Sequence, residues 1–185
     1  MENKTIPIPP GYTTVTPWII SKDSARLIEF LKEAFGAEEI PGSRMSDENG
    51  VVMHVEVMIG NAIVMLFDAA EDWAPTPVFI RLYAEDGDVV FNKAVAAGAE
   101  PVTAMTNLFF GDRVGRVRDP FGNVWWIQQR VEDLTQMNPE ELSKRAGTKE
   151  ATAAMNYVQQ SLRDAMKNSH HGMNDNHGMG IVRTF

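Results

Sequence analysis

The stretch Gly111-Asp112-Arg113-Val114-Gly115-Arg116-Val117-Arg118-Asp119-Pro120-Phe121-Gly122-Asn123-Val124-Trp125-Trp126-Ile127 decides how this chain reads. Two alternating runs, Arg113 to Arg118 and Asn123 to Gln128, flank the tetrapeptide Asp119-Pro120-Phe121-Gly122. Proline fixes one turn dihedral and glycine supplies a left-handed conformation, so the run predicts a β-hairpin. Just upstream, "AGAEPV" (Ala97 to Val102) ends a helical pattern over Asp86 to Ala97 at Gly98 and opens a strand over Glu100 to Ala104. A further strand, Val78 to Tyr83, precedes that helix, so this half reads β-α-β-β-β.

The first half repeats the order. Between Tyr12 and Ile20, Val15, Pro17 and Ile19 alternate with Thr14, Thr16 and Trp18, the period of a two-faced strand. Pro17 places that strand at an edge or a bulge. Asp23 or Ser24 caps a helix carrying Leu27, Ile28, Leu31 and Phe35, and Gly36 stops it. Strands follow around Glu38 to Arg44, at Val51 to Met58 and at Ala62 to Phe67, separated by turns at Ser46 to Gly50 and Gly60-Asn61. "FGAEEIP" (Phe35 to Pro41) stands where "AGAEPV" stands in the other half, the mark of an internal duplication. The expectation is an α+β fold of paired βαβββ modules, residues 12–68 and 76–130, joined through Pro75 and Pro77 into one unit, 12–130.

Beyond it, residues 131–167 predict a helical extension. Asn138 caps a helix opening Pro139-Glu140-Glu141, and a second helix, Lys149 to Lys167, carries Ala153, Tyr157, Leu162 and Met166 toward one side, for packing on the body or a partner. Residues 168–185, rich in Gly, Asn and His, predict a mobile tail.

A chain of 185 residues suits one compact body. Seventeen basic against 25 acidic residues, a net charge of −8, argue against nucleic acid and anionic membranes as partners. The lack of cysteine excludes disulfides, thiolate zinc sites and cysteine nucleophiles. The opening MENKTIPIPP has no apolar leader core and no window approaches a membrane span, so a cytoplasmic protein is expected.

The hairpin string followed by "VEDLT" (Val131 to Thr135) and "PEEL" (Pro139 to Leu142), together with "HVEVMIG" (His54 to Gly60), "FDA" (Phe67 to Ala69) and "AAGAEPV" (Ala96 to Val102), resembles the vicinal-oxygen-chelate superfamily. That is the fold of glyoxalases and bleomycin-resistance proteins, and the likeness is to its PhnB-like branch over roughly Tyr12 to Ala146. The resemblance implies that the modules form a cupped mixed sheet, with helices on the outer face and a ligand on the concave one. Metal-dependent members place four His or Glu ligands there. The corresponding positions here are Thr16, Met65, Phe79 and Trp126, so neither a metal nor another cofactor is expected.

Alternation assigns Val15, Ile19, Val55, Val57, Val64, Leu66, Val78, Ile80, Leu82, Trp125 and Ile127 to the helix-covered face. The ligand face then carries Trp18, Phe67, Phe79, Arg81, Tyr83, Trp126 and Gln128, with His54 and Glu56 as an acid/base pair or as simple hydrogen-bond partners. Arg81 either anchors an anionic ligand or pairs with Glu56. Arg113, Arg116 and Arg118 read as a solvated strand edge before an anion site, Asp119 as a turn residue, and His170, His171 and His177 as parts of a polar tail before a metal site. The favoured function is metal-independent binding of a small molecule by a homodimer. The alternatives are a lyase, isomerase or dioxygenase using His54 and Glu56 or a metal site elsewhere, and an interaction protein acting through its C-terminal helices.

Overall fold

Asp23 sets where the first helix begins: its carboxylate accepts the Arg26 N–H at 3.0 Å, and α1 runs Ser24–Phe35. Gly36, at φ +65°, ends it in the left-handed region that favours glycine. Leu27, Ile28 and Leu31 recur on one side of α1 and are wholly buried. The computed structural model to which these residues belong describes residues 5–174, with side chains through Lys167.

Five strands form the first sheet: β1 (Trp18–Ser21), β2 (Glu38–Glu39), β3 (Met45–Ser46), β4 (Val52–Ile59) and β5 (Ala62–Asp68). Their order is β1-β5-β4-β2, with β3 also on β4. The second sheet holds β6 (Phe79–Tyr83), β7 (Glu100–Asn107), β8 (Asp112–Arg118) and β9 (Val124–Arg130) in the order β6-β9-β8-β7, with α2 (Gly87–Ala96) between β6 and β7 in the chain. In each sheet the first strand runs parallel to the last, and the remaining pairs are antiparallel. One core serves both, built from Ile19, Val57 and Leu66 of the first sheet, Val117, Trp125 and Ile127 of the second, and α1. Helices α1 and α2 pack on each other, and Phe35 meets Trp125 across the modules at 4.8 Å between ring centroids.

The strand expected from Tyr12 starts only at Trp18, and Val15, assigned to the helix-covered face, is 77% exposed. Pro17 has no N–H to give a ladder, and pairing opens with its carbonyl accepting from Met65 N. The strand expected over Glu38 to Arg44 is cut by Gly42, at φ +79°, into the short β2 and the later β3. The predicted solvated edge of arginines is also corrected, because β8 lies inside its sheet between β7 and β9. Arg113 forks onto Asp88 at 2.6 and 2.8 Å and holds that carboxyl below its ordinary pKa. Arg118 donates to the Ala165 carbonyl, and Arg116 is 2% exposed.

Asn138 caps α3 (Pro139–Ala146), accepting from Glu141 N at 2.8 Å. Helix α4 (Lys149–Asn174) continues past the Lys167 end expected from sequence, so residues 168–174 are helical where a tail was predicted, and 175–185 lie outside the described residues. It packs on the face of the second sheet opposite α2. Arg116 donates to Val158 O at 2.8 Å, Thr103 Oγ1 meets Ser161 Oγ at 2.8 Å, and Ala104 N donates to the Tyr157 hydroxyl at 2.8 Å. The seam therefore follows Ala154, Val158 and Ser161, while Ala153, Tyr157 and Met166 of the predicted apolar side are exposed. The helix lies mainly over β7, and the long Arg116 side chain reaches from β8 to its Val158 carbonyl.

Asp119 closes the β8–β9 hairpin as a buried hub. It accepts from Phe121 N, Asn123 N, Asn123 Nδ2 and Trp125 Nε1 at 2.8 to 2.9 Å. Burial raises its carboxyl pKa, and these four donors pull it back toward the charged form. Replacing it strands several buried donors, each costing about 1–3 kcal/mol, so Asp119→Ala is expected to lower urea-unfolding stability by at least about 3 kcal/mol. A loss below about 1 kcal/mol would show the hub to be a mere turn residue.

Candidate ligand-binding faces

The helix-free face of the first sheet carries Trp18 on β1, His54 and Glu56 on β4, and Phe67 on β5. The Trp18 ring meets His54 at 6.3 Å and Phe67 at 5.4 Å, both edge-on. His54 Nε2 lies 3.2 Å from Glu56 Oε1. Tyr12, which the sequence reading passed over as a strand start, joins the pair through its hydroxyl. Its hydrogen bond to Glu56, with some burial and the carboxylate's charge, holds the phenol above its ordinary pKa. Ser43 Oγ accepts from Glu56 N at 3.1 Å and steadies that strand position.

Trp73 is the other residue missed. It stands in the loop after β5, its ring 5.4 Å from Phe67, and the loop is tied down by Thr76 N donating to Ile20 O at 3.0 Å. A cavity of about 360 Å³ opens beside Trp18, Met53, Phe67, Asp68 and Trp73. Periodicity has nothing to say about a lone tryptophan in a Pro-rich linker; only its residue type marked it.

On the second sheet the register sets Arg81 of β6, Trp126 of β9 and Arg116 of β8 side by side. The Arg81 guanidinium lies 4.7 Å and that of Arg116 3.9 Å from the Trp126 ring centroid, while Phe79 meets the same indole edge-on at 6.2 Å. Arg81, Phe79 and Tyr83 are exposed. Arg81 does not pair with Glu56, one of the two partners expected for it; that carboxylate is held by His54 and Tyr12 instead. Gln128 shares this face with Trp126 but is covered there, 4% exposed and donating to Asp112.

Arg116 is the unusual member. Its Nη1 donates to Thr103 Oγ1 at 3.0 Å and to Val158 O, yet no carboxylate pairs with it among the described residues. Its Nε and the Trp126 Nε1 are both buried without a hydrogen-bond partner. Burial, helped by the neighbouring Arg81 charge, lowers its pKa to about 10, which leaves it protonated at neutral pH. Its signal in the sequence was an arginine at an alternating position of an interior strand, which the edge reading concealed.

Ring contacts tie residues together within each face and, among the described residues, not across them. The donor chemistry does not fit a divalent metal. Thr16 precedes β1, Met65 is the register partner of Trp18, and Phe79 and Trp126 touch through their rings. These side chains offer no imidazole, carboxylate or thiolate. Among the described residues no group of three or more His, Asp or Glu converges. The side chains of His170 and His171, and all of His177, lie outside the described residues.

A family model, the Glyoxalase/Bleomycin resistance protein/Dioxygenase superfamily, matches residues 12–127. The uncharacterized protein Rv0887c of Mycobacterium tuberculosis is 34% identical over 131 residues, spanning 65% of this chain and 76% of that protein. Among solved structures, TioX from Micromonospora sp. ML1 aligns with a TM-score of 0.53 at 23% identity, over 66% of this chain and 100% of its own. PA1353 from Pseudomonas aeruginosa gives 0.54 at 17%, over 64% and 98%. At these identities the structural likeness speaks for the fold alone.

The donor set generates a direct expectation: after exhaustive dialysis, elemental analysis finds no stoichiometric Zn, Ni, Fe or Mn. One metal per chain, retained when His170, His171 and His177 are all replaced by alanine, would overturn it.

Proposed function

The chain belongs to the glyoxalase/bleomycin resistance protein/dioxygenase superfamily, and from that membership we propose that it is a metal-independent small-molecule-binding protein whose ligand is anionic and partly aromatic. The observation that carries this reading is the row Arg81, Trp126, Arg116 on the second sheet. A guanidinium taken out of water without a counter-ion is costly, and folds retain such a group where something compensates it. Val158 O compensates in part, as a dipole and not a charge. An anion at the open end of the row takes bidentate hydrogen bonds from Arg81, lies in the field of Arg116, and brings a ring onto Trp126 and Phe79.

A second reading has its own support in the chain Tyr12, Glu56, His54. With Glu56 accepting from His54 Nε2, the ring's Nδ1 is left as a base, and the phenol is a reserve proton donor. That arrangement suits proton abstraction from an activated carbon, as a lyase or isomerase of the superfamily requires. The reading of the C-terminal helices as an interaction surface has less support, because α4 buries Val158 on its own sheet. Homodimer formation belongs to the proposal, since Val15, Met45 and Phe110 are large apolar side chains left exposed within one chain.

Arg81→Met is expected to weaken an aromatic carboxylate's binding by roughly 1.5–3 kcal/mol, the worth of a hydrogen bond to a charged group, with melting unchanged because the side chain is exposed. Calorimetry checks this with the ligand found by native mass spectrometry of the protein as isolated, or with benzoate as probe. Unchanged affinity for both rejects the anchoring role. Sedimentation velocity at micromolar concentration is expected to show a dimer, and a monomer alone would contradict that part of the proposal.

A further inference from the structure

We infer that the corner framed by Trp18, Phe67 and Trp73 on the first sheet is a separate binding site for a small organic cation, of the quaternary-ammonium class. The inference goes beyond the anion reading and shares no residue with the Arg81 row. Three aromatic rings stand in series there, Trp18 to Phe67 and Phe67 to Trp73, each pair 5.4 Å apart between centroids. They border a cavity of about 360 Å³ whose mouth is open, since Trp18 is 51% and Trp73 44% exposed. Among the described residues the only charged group lining it is Asp68. That carboxylate accepts Ser24 N at 2.6 Å and Val52 N at 2.8 Å on the helix-covered side of β5, so its charge reaches the cavity as a field and not as a contact.

The surroundings lean negative: from Met45 to Ile80 the chain carries six carboxylates, Asp47, Glu48, Glu56, Asp68, Glu71 and Asp72, while the flanking Arg44 is paired with Glu39, within the field of Asp68, and Arg81 belongs to the other sheet. Aromatic faces carry negative quadrupole potential, so rings and carboxylates act together on a cation and against an anion. A diffuse cation such as a tetraalkylammonium sheds its hydration more readily than a lysine-type ammonium, and it fits walls that offer π faces and methyl groups in place of hydrogen-bond acceptors.

The test compares choline with its uncharged isostere 3,3-dimethylbutan-1-ol, each titrated into the full-length protein by calorimetry. Choline is expected to bind about tenfold more tightly than the alcohol, and Trp73→Leu to weaken choline about fivefold without shifting the melting temperature. Arg81→Met is expected to leave choline affinity unchanged, so the fate of this site and that of the anion site are read separately. Equal affinity for choline and the alcohol, no saturable choline binding up to roughly 50 mM, or wild-type affinity in Trp73→Leu overturns the inference.

Discussion

A guanidinium removed from water without a carboxylate sets the terms for the second sheet. Arg116 sits there because β8 is an interior strand whose alternation turns Val117 toward the core and its neighbour the other way. Helix α4, packed on β7, offers it one carbonyl, and Thr103 of β7 offers a hydroxyl. The cover stops short of β6. Arg81, Phe79 and Tyr83 are left in solvent beside an indole that already has a cation on each flank. Packing and electrostatics on this face thus meet at one charge that a carbonyl and a hydroxyl answer only as dipoles.

The two sheets are built alike and differ in charge. The first face gathers Glu56, His54 and aromatic rings, and the second gathers Arg81, Arg116 and aromatic rings. At Thr16, Met65, Phe79 and Trp126, the positions that the family resemblance matches to metal ligands, the side chains offer no imidazole, carboxylate or thiolate. The Tyr12, Glu56, His54 chain is the remaining arrangement suited to moving a proton.

Much of the architecture was legible because its signals are local. Asp23 and Gly36 bracket α1, Asn138 caps α3, and the Asp119 to Gly122 turn joins β8 to β9, each through contacts a few residues apart. The alternation that put Ile19, Val64 and Trp125 on one face and Trp18, Phe67 and Trp126 on the other holds in the same way. What was not legible depends on tertiary neighbours. No local rule says that Pro17 defers β1 until Trp18, that α4 brings its Val158 carbonyl within reach of Arg116, or that Trp73 folds back from a linker onto Phe67. Arg116 and Arg118 were read as an edge because strand order within a sheet is not written in a strand's own residues.

The claim that the second sheet holds an anion is tested most directly at the two donors left unpaired there. In a ¹H–¹⁵N spectrum of the full-length protein, the Arg116 Nε–H and Trp126 Nε1–H resonances report their own hydrogen bonding. Titration with benzoate is expected to shift Arg81 Nε–H downfield as its acceptor arrives, with the buried Arg116 and Trp126 resonances moving along the same binding curve as the charge enters their field. Benzoate binding that perturbs other resonances while these three stay fixed would contradict the account.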